Sequence, residues 1–448
     1  MANHPADPTL QDLNVEPYFM GFSQNRYIKK NPHARLFVEA NGAYYTNVDG
    51  KKIFDAFSGL WCCMAGHCHP RIVAAVQRQA ARLDYAPAFG FASPEVFKLA
   101  ERVAELAPVD LDHVLFTNSG SEAVDSALKV ALAYHRVRGE GHRSRFIGRE
   151  RAYHGMGFGG ISVGGMVANR KMYPSAQLVG VDHLPHTHNL KEMAFSRGEP
   201  TWGAHLADEL ERLVALHDAS TIAAVIVEPM QGSTGVIVPP VGYLKRLREI
   251  CDKHGLLLIF DEVITGFGRL GHNFAASRYD IVPDMITFAK GVTNGFIPMG
   301  GVIVRKGIYD AFMTGPDYAV ELAHGYTYSG HPMAAACGLA TLDVYKEEGL
   351  FQRAQELEPV LEEAMHSLRG EPNVIDVRNI GLAAAVELAP LPGEPGLRGL
   401  KAFEHALANG VYVRWSGEIL PVAPPFISTA EEIHRTAETL RRAIRAAA

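Results

Sequence analysis

The sequence predicts an α/β protein: a large domain built on a mostly parallel sheet flanked by helices, plus a smaller α+β domain. Three observations carry this. Short runs of β-branched and apolar residues alternate with helical patterns through the middle of the chain. The runs are apolar throughout, as strands covered on both faces must be. There are also 43 glycines, many clustered at the ends of those runs, which suits tight turns between strands and helices.

The strand candidates are Val114–Thr117, Arg145–Gly148, Ala223–Val227, Leu256–Phe260, Met285–Phe288 and Val302–Val304. Residues 121–137 read as a helix whose apolar face carries Ala123, Val124, Ala127, Leu128, Ala131 and Leu132. Further helices are expected over 243–254 and 333–347. Beyond them, helical patterns over 350–368 and 399–408 and short strands near 374–377 and 411–414 make the smaller domain, with a Pro/Gly-rich surface loop over 389–399. The expected division is an N-terminal arm over 1–75 that joins the small domain, a large domain over 76–335, and a C-terminal small domain over 336–448.

Composition narrows the function. Hydrophobic residues are 47% and charged residues 21%, too apolar for a disordered chain. A net charge of -6 lacks the basic excess of a dedicated nucleic-acid binder. Asp7, Asp12 and Glu16 stand among prolines with no continuous apolar stretch, so the N-terminus does not read as a signal peptide. Apolar runs such as Ile222–Val227 fall far short of the ~20 residues of a spanning helix. Five cysteines do not suggest a disulfide framework. The expected location is cytoplasmic.

Four motifs are weaker than they look. Cys62, Cys63, His67, Cys68 and His69 crowd together but lack the spacing of a structural zinc site, and a buried turn is the expectation. His183, His186 and His188 are expected to be solvated or hydrogen-bonded loop residues; no metal is expected. Gly155, Gly157 and Gly160 match a dinucleotide fingerprint, and Gly160–Gly164 matches a hydrolase elbow. Both motifs need a helix after them, and the β-branched, glycine-rich residues 161–165 promise none.

A stronger set is spread along the chain. Thr117-Asn118-Ser119-Gly120-Ser121-Glu122 follows a strand and opens a helix, where small residues and free amides suit a phosphate or, alternatively, Ser serves as a helix cap. Asp261 ends one buried strand, and Lys290 follows another. In open α/β sheets ligands bind at the carboxyl ends of strands. A partly desolvated lysine there has a lowered pKa and can form an imine with a carbonyl. A phosphate cradle, an acid and a lysine at three strand ends are the parts of a pyridoxal phosphate site.

With these residues in view, the chain resembles the class III aminotransferases, fold-type I pyridoxal phosphate enzymes, and within them the ω-amino acid–pyruvate branch. The matching segments are Ser58–His67, Gly120-Ser121, Tyr153-His154-Gly155, Ile226–Gly232, Asp261–Gly271, Ala289-Lys290-Gly291, His324–Pro332 and Val413-Arg414. The resemblance implies a seven-stranded sheet and pyridoxal 5'-phosphate as cofactor. It implies that Lys290 carries the cofactor and shuttles the proton, that Asp261 pairs with the ring nitrogen, and that Gly120 and Ser121 bind the phosphate. Tyr153 would stack on the ring, Val263 would pack on its other face, and Glu228 would support Asp261 and the ring hydroxyl. Thr327 would reach the phosphate of the other subunit's cofactor, making the active site a property of a homodimer, or of a tetramer built from it. Trp61 would shape the donor pocket and Arg414 would take the substrate carboxylate. Ile264 stands where many members of the family have Gln, a departure that fits the ω-aminotransferase branch.

The implied activity is amino transfer from an ω-amino acid or amine to pyruvate, with β-alanine the leading donor. Taurine, γ-aminobutyrate or a primary amine are the alternative donors. A decarboxylase or aminomutase on the same fold is the reading from another class.

Overall fold

The computed structural model describes residues 13–448, so Asp7 and Asp12 of the N-terminal stretch lie outside it. Fourteen strands form three sheets among the described residues. In chain order they are β1 (Phe37–Asn41), β2 (Tyr44–Asn47), β3 (Lys52–Asp55), β4 (Leu111–Thr117), β5 (Arg145–Arg149), β6 (Val181–Leu184) and β7 (Ile222–Val227). They continue with β8 (Leu257–Asp261), β9 (Met285–Phe288), β10 (Gly300–Arg305), β11 (Val374–Ile380), β12 (Ala383–Leu388), β13 (Val411–Tyr412) and β14 (Ile419–Val422).

The large sheet has seven strands in the order β4-β10-β9-β8-β7-β5-β6. Neighbours from β9 to β6 pair in parallel, and β10 alone runs against both of its neighbours. Every residue of β7, β8 and β9 is buried, which is why those runs carry no polar alternation. All six expected strands are present, most of them a residue or more longer than read. The seventh, β6, escaped because its Val-Asp-His-Leu sequence has only Leu184 buried. Residues Gly120–Val137 form a helix packed against β9 and β10. The 243–254 and 333–347 helices also form, the latter from Pro332, packed on helices Pro70–Arg82 and Pro94–Leu106.

The two smaller sheets are β1-β2-β3-β13 and β11-β12-β14. Because β13 pairs with β3, the N-terminal arm and the C-terminal part share one sheet. The long C-terminal helix Ala430–Ala446, not expected from the sequence, starts from a capping box between Thr429 and Glu432.

One expectation fails. Residues Phe158–Val163 are a helix, following β5 after a turn. The glycines that argued against it are what allow it, since the helix is wedged against neighbouring backbone. A Cβ on Gly160 would lie 2.2 Å from the His154 carbonyl oxygen. The helix still offers no dinucleotide site, because the Asp125 carboxylate already accepts the Gly160 amide at 2.9 Å at its amino end. Nor is Ser162 an exposed nucleophile. It is buried, donating to the Phe158 carbonyl at 2.6 Å and accepting from the Leu178 amide at 2.7 Å.

Gly148 on β5 sets how closely this helix approaches the sheet, since a Cβ there would lie 2.0 Å from the Val163 carbonyl oxygen. Backbone cannot yield as a side-chain tip can. Gly148→Ala should therefore lower stability by about 1–3 kcal/mol, measured by thermal unfolding, while Gly307→Ala, with open space around it, should not.

Candidate active site

Four strands of the large sheet deliver polar residues to one edge. After β4 come Asn118 to Ser121; β7 runs into Glu228, β8 ends in Asp261, and β9 leads through Ala289 to Lys290. Tyr153 and His154 enter on the loop after β5. Together they line a cavity of about 300 Å3 that also takes in Val263, Ile264 and Cys62. Of the expected site residues, the structure thus gathers Lys290, Asp261, Gly120, Ser121, Tyr153, Glu228 and Val263.

Asp261 is buried and held from several sides. His154 Nδ1 lies 2.7 Å from one carboxylate oxygen, while the Thr287 hydroxyl and the Val263 amide both donate to the other at 3.1 Å. Glu228 reaches elsewhere: it accepts the Tyr153 amide at 2.9 Å and the Gly232 amide at 3.2 Å. Burial pushes the Glu228 carboxyl up to about 7, with the Asp261 charge adding to the effect. Lys290 lines the same cavity, and loss of hydration holds its amine below the ordinary lysine value against the pull of Asp261. An amine whose proton is more easily lost, beside a fixed carboxylate, is a group able to add to a carbonyl and to move protons.

The opposite wall is a helix end. Ser119 caps the Gly120–Val137 helix by accepting the Glu122 amide at 3.1 Å, so the cap reading of this motif holds for Ser119. The Gly120 and Ser121 amides are then the first two of the helix, without an intrahelical acceptor. A Cβ on Gly120 would lie 2.8 Å from a Val263 methyl, so glycine keeps the space open. Ser121 Oγ accepts the Met156 amide at 3.1 Å, leaving its proton free to donate. Free amides and a hydroxyl at a helix amino end are an arrangement that suits an anion.

Three expected residues are not brought to the cavity. Thr327 sits on an exposed loop, its carbonyl accepting from the Tyr85 hydroxyl at 3.1 Å. Arg414 lines a second cavity, with its guanidinium 5.2 Å from the Trp415 ring centre. Trp61 is buried against Phe57, ring centres 4.8 Å apart, in a cluster with Ile264. Conversely, His154, Thr287 and Cys62 belong to the site and were given no role from sequence. For Thr287 the signal was a lone hydroxyl inside an apolar strand, directly beside Asp261 in the sheet register.

The other polar clusters resolve as ordinary structure. His183 lies on β6 and contacts the Gly164 carbonyl at 2.9 Å, while His67 pairs with Asp55 at 2.8 Å. His188, Asp376 and Glu387 are grouped closely enough for a metal, but the Arg378 guanidinium binds both carboxylates, at 2.6 and 2.7 Å.

Comparison with known proteins agrees with this geometry. The family model for class III aminotransferases matches residues 27–444. The chain is 54% identical to an omega-aminotransferase of Caulobacter vibrioides, over 96% of this chain and 98% of that protein. It is 50% identical to a beta-alanine–pyruvate aminotransferase of Pseudomonas aeruginosa, over 98% of both. Among solved structures, a thermostable omega transaminase from Pseudomonas jessenii superposes with a TM-score of 0.90 at 29% identity, covering 99% of each chain.

Glu228 gives the site a pH signature. A carboxyl raised in the folded state stabilises the fold below its unfolded value near 4.5, and that contribution is lost as pH rises through about 7. Glu228→Gln has nothing to ionise. Between about pH 5 and pH 8 it should lose less stability than the parent, by on the order of 1–3 kcal/mol in urea unfolding. Glu262, raised to about 7 by its own burial, contributes equally to both proteins.

Proposed function

The chain belongs to the class III aminotransferases, and on that premise we propose that it transfers the amino group of an ω-amino acid, β-alanine foremost, to pyruvate, using pyridoxal 5'-phosphate. The products are a semialdehyde and alanine. The observation that carries this reading is the convergence of a lysine, a fixed carboxylate and a helix amino end on one cavity.

The donor set suits the cofactor. The Gly120 and Ser121 amides would take its phosphate, and Asp261 its ring nitrogen. Lys290 would hold its carbonyl carbon, and Tyr153 and Val263 would face the ring. When bound, the cofactor supplies an electrophilic carbon and an electron sink. The chain's own part is to keep these groups dry and oriented. Asp261, negatively charged and fixed by His154 and Thr287, would keep a proton on the ring nitrogen. Lys290 would carry a proton to and from the substrate carbon, a task that its lowered pKa suits.

Arg414 and Thr327 complete the proposal from outside the cavity. The Arg414 arm, here over Trp415, would swing toward a substrate carboxylate near Trp61. Thr327, exposed on its loop, would serve the partner subunit's cofactor across a homodimer or a tetramer of such dimers. The boundaries at 75 and 335 are kept as the proposed division into arm, large domain and small domain. Cytoplasmic placement is likewise a proposal; no helix among the described residues is long and apolar enough to cross a membrane.

The test is a grid of donors against pyruvate, scored by alanine formed. β-Alanine should be a productive donor without release of carbon dioxide. Lys290→Ala should lower turnover by more than about a thousandfold, and borohydride should no longer fix cofactor on the chain by intact mass. Turnover unchanged in that variant overturns the reading.

Arg414→Ala separates the half-reactions. Loss of a guanidinium that binds a desolvated carboxylate should weaken the pyruvate half-reaction by ~2–5 kcal/mol. Single-turnover conversion by a carboxylate-free amine should be spared, and Arg414→Lys should restore only part, since a point charge lacks the planar fork.

A further inference from the structure

Cys62 and Cys63 are adjacent in sequence, and their side chains share one side of the backbone. Both amides donate to a single acceptor, the Ser58 carbonyl, at 2.8 and 3.0 Å. That clamp closes a turn in which Ser58, Gly59 and Trp61 all have left-handed backbone, at φ of 46°, 65° and 68°. Two non-glycine residues in that region are costly and point to a functional constraint. The result is a pair of sulfurs 3.8 Å apart. Two glycines leave room for them: a Cβ on Gly295 would lie 3.0 Å from Cys62 Sγ and 3.2 Å from Cys63 Sγ, and one on Gly59 3.4 and 3.2 Å from the same two atoms. Cys62 also lines the cavity that holds Lys290, so a small solute entering the cavity reaches it, while Cys63 is buried behind.

We propose that Cys62 and Cys63 are an oxidation site on the wall of the active cavity, joined into a disulfide by a hydroperoxide and thereby switching off the amino transfer proposed above. The two cysteines are chemically unequal. Cys62 is held below the ordinary thiol value by the proton it shares with Cys63 and by a backbone hydrogen bond at Leu60, whereas Cys63 is pushed up by that same shared proton and by burial. Cys62, which faces the cavity, is the nucleophile, and Cys63, buried behind it, is the resolving thiol.

In the first step the Cys62 sulfur takes an oxygen from the hydroperoxide. The O–O bond breaks, an alcohol or water leaves, and the sulfur is oxidised by two electrons to a sulfenic acid. In the second, the Cys63 sulfur displaces that oxygen as water and the S–S bond forms. The sum is two thiols and one hydroperoxide giving one disulfide, one alcohol and one water. Neighbouring Cα atoms are only ~3.8 Å apart, closer than an unstrained disulfide allows. The bond should therefore be readily reduced, as suits a reversible switch. Forming it draws Cys62 away from the wall it shares with Lys290 and moves the turn that carries Trp61.

The test uses cofactor-loaded protein with Cys68→Ser, because Cys68 is exposed and would react on its own, whereas Cys251 and Cys337 are buried. One equivalent of hydrogen peroxide should lower the intact mass by about 2 Da, with the loss mapped to the peptide containing Cys62 and Cys63. Alanine formation should fall at least about tenfold and return with dithiothreitol. Adding Cys63→Ser should abolish the mass loss and leave oxygen adducts on Cys62. Failure of the mass to fall overturns the proposal, and so does a linked chain that keeps full activity. The mass measurement does not depend on the transaminase reading, so a chain that links but never forms alanine faults that reading alone.

Discussion

The Asp261 carboxylate is the interaction on which the site depends. It ends β8, takes a hydroxyl from Thr287 on β9 and a ring nitrogen from His154 on the loop after β5, and so ties three parts of the sheet edge together. Desolvating a carboxylate costs several kcal/mol unless donors replace water, and here the protein supplies them. A fixed anion in a dry cavity then sets the electrostatics around it. It raises Glu228 further, partly offsets the burial that lowers Lys290, and reserves a place for a cationic partner. Among the described residues, His154 Nε2 is buried without a hydrogen-bond partner.

The large sheet explains why chemistry gathers at that edge. Strands β7, β8 and β9 are covered on both faces, so an ionisable residue within them would be stranded in the core. The first position at which such a residue is tolerated is where the strand leaves the sheet. Parallel strands all leave on one side, and Glu228, Asp261 and Lys290 converge although 62 residues separate the first from the last. The antiparallel β10 keeps the pattern from its amino end, because it starts at Gly300 beside Thr117, just before the turn into the Gly120–Val137 helix.

This physics also decides what could be read from sequence. An apolar run that stops abruptly at Asp261 or just before Lys290 announces both a strand and a site, because an ionisable group there must sit where the chain leaves the buried layer. His154 carries no such signal, since a histidine after a loop tyrosine reads the same whether it meets a carboxylate or solvent. Cys62 and Cys63 looked like filler in a turn because their significance lies in backbone angles that residue types do not encode. Helices Pro70–Arg82 and Pro94–Leu106 did carry signals, a proline in the first turn and an amphipathic pattern, yet both precede the strand-and-helix alternation that marks the large domain. Thr327 and Arg414 are of a third kind. Their roles came from resemblance alone, and each lies outside the cavity in the isolated chain.

A second buried charge keeps the strained cysteine turn in place. Arg269 is fully buried and donates to the Leu382 and Pro424 carbonyls at 3.1 and 2.9 Å and to the Ser58 hydroxyl at 3.0 Å. It thereby ties the residue whose carbonyl clamps both cysteine amides to the C-terminal part of the chain. Its guanidinium also lies 5.9 Å from the Trp61 ring centre and 4.9 Å from that of Phe426. Burial lowers its pKa only to about 10, so it stays charged at neutral pH. Among the described residues only carbonyls, a hydroxyl and ring faces meet this cation directly, an incomplete compensation that favours negative charge nearby. The Cys62–Cys63 pair is close enough to feel that pull. The fork that holds the turn in its strained shape thus also favours ionised sulfur there, and a lysine in its place would keep the charge while losing the planar geometry that reaches three segments at once.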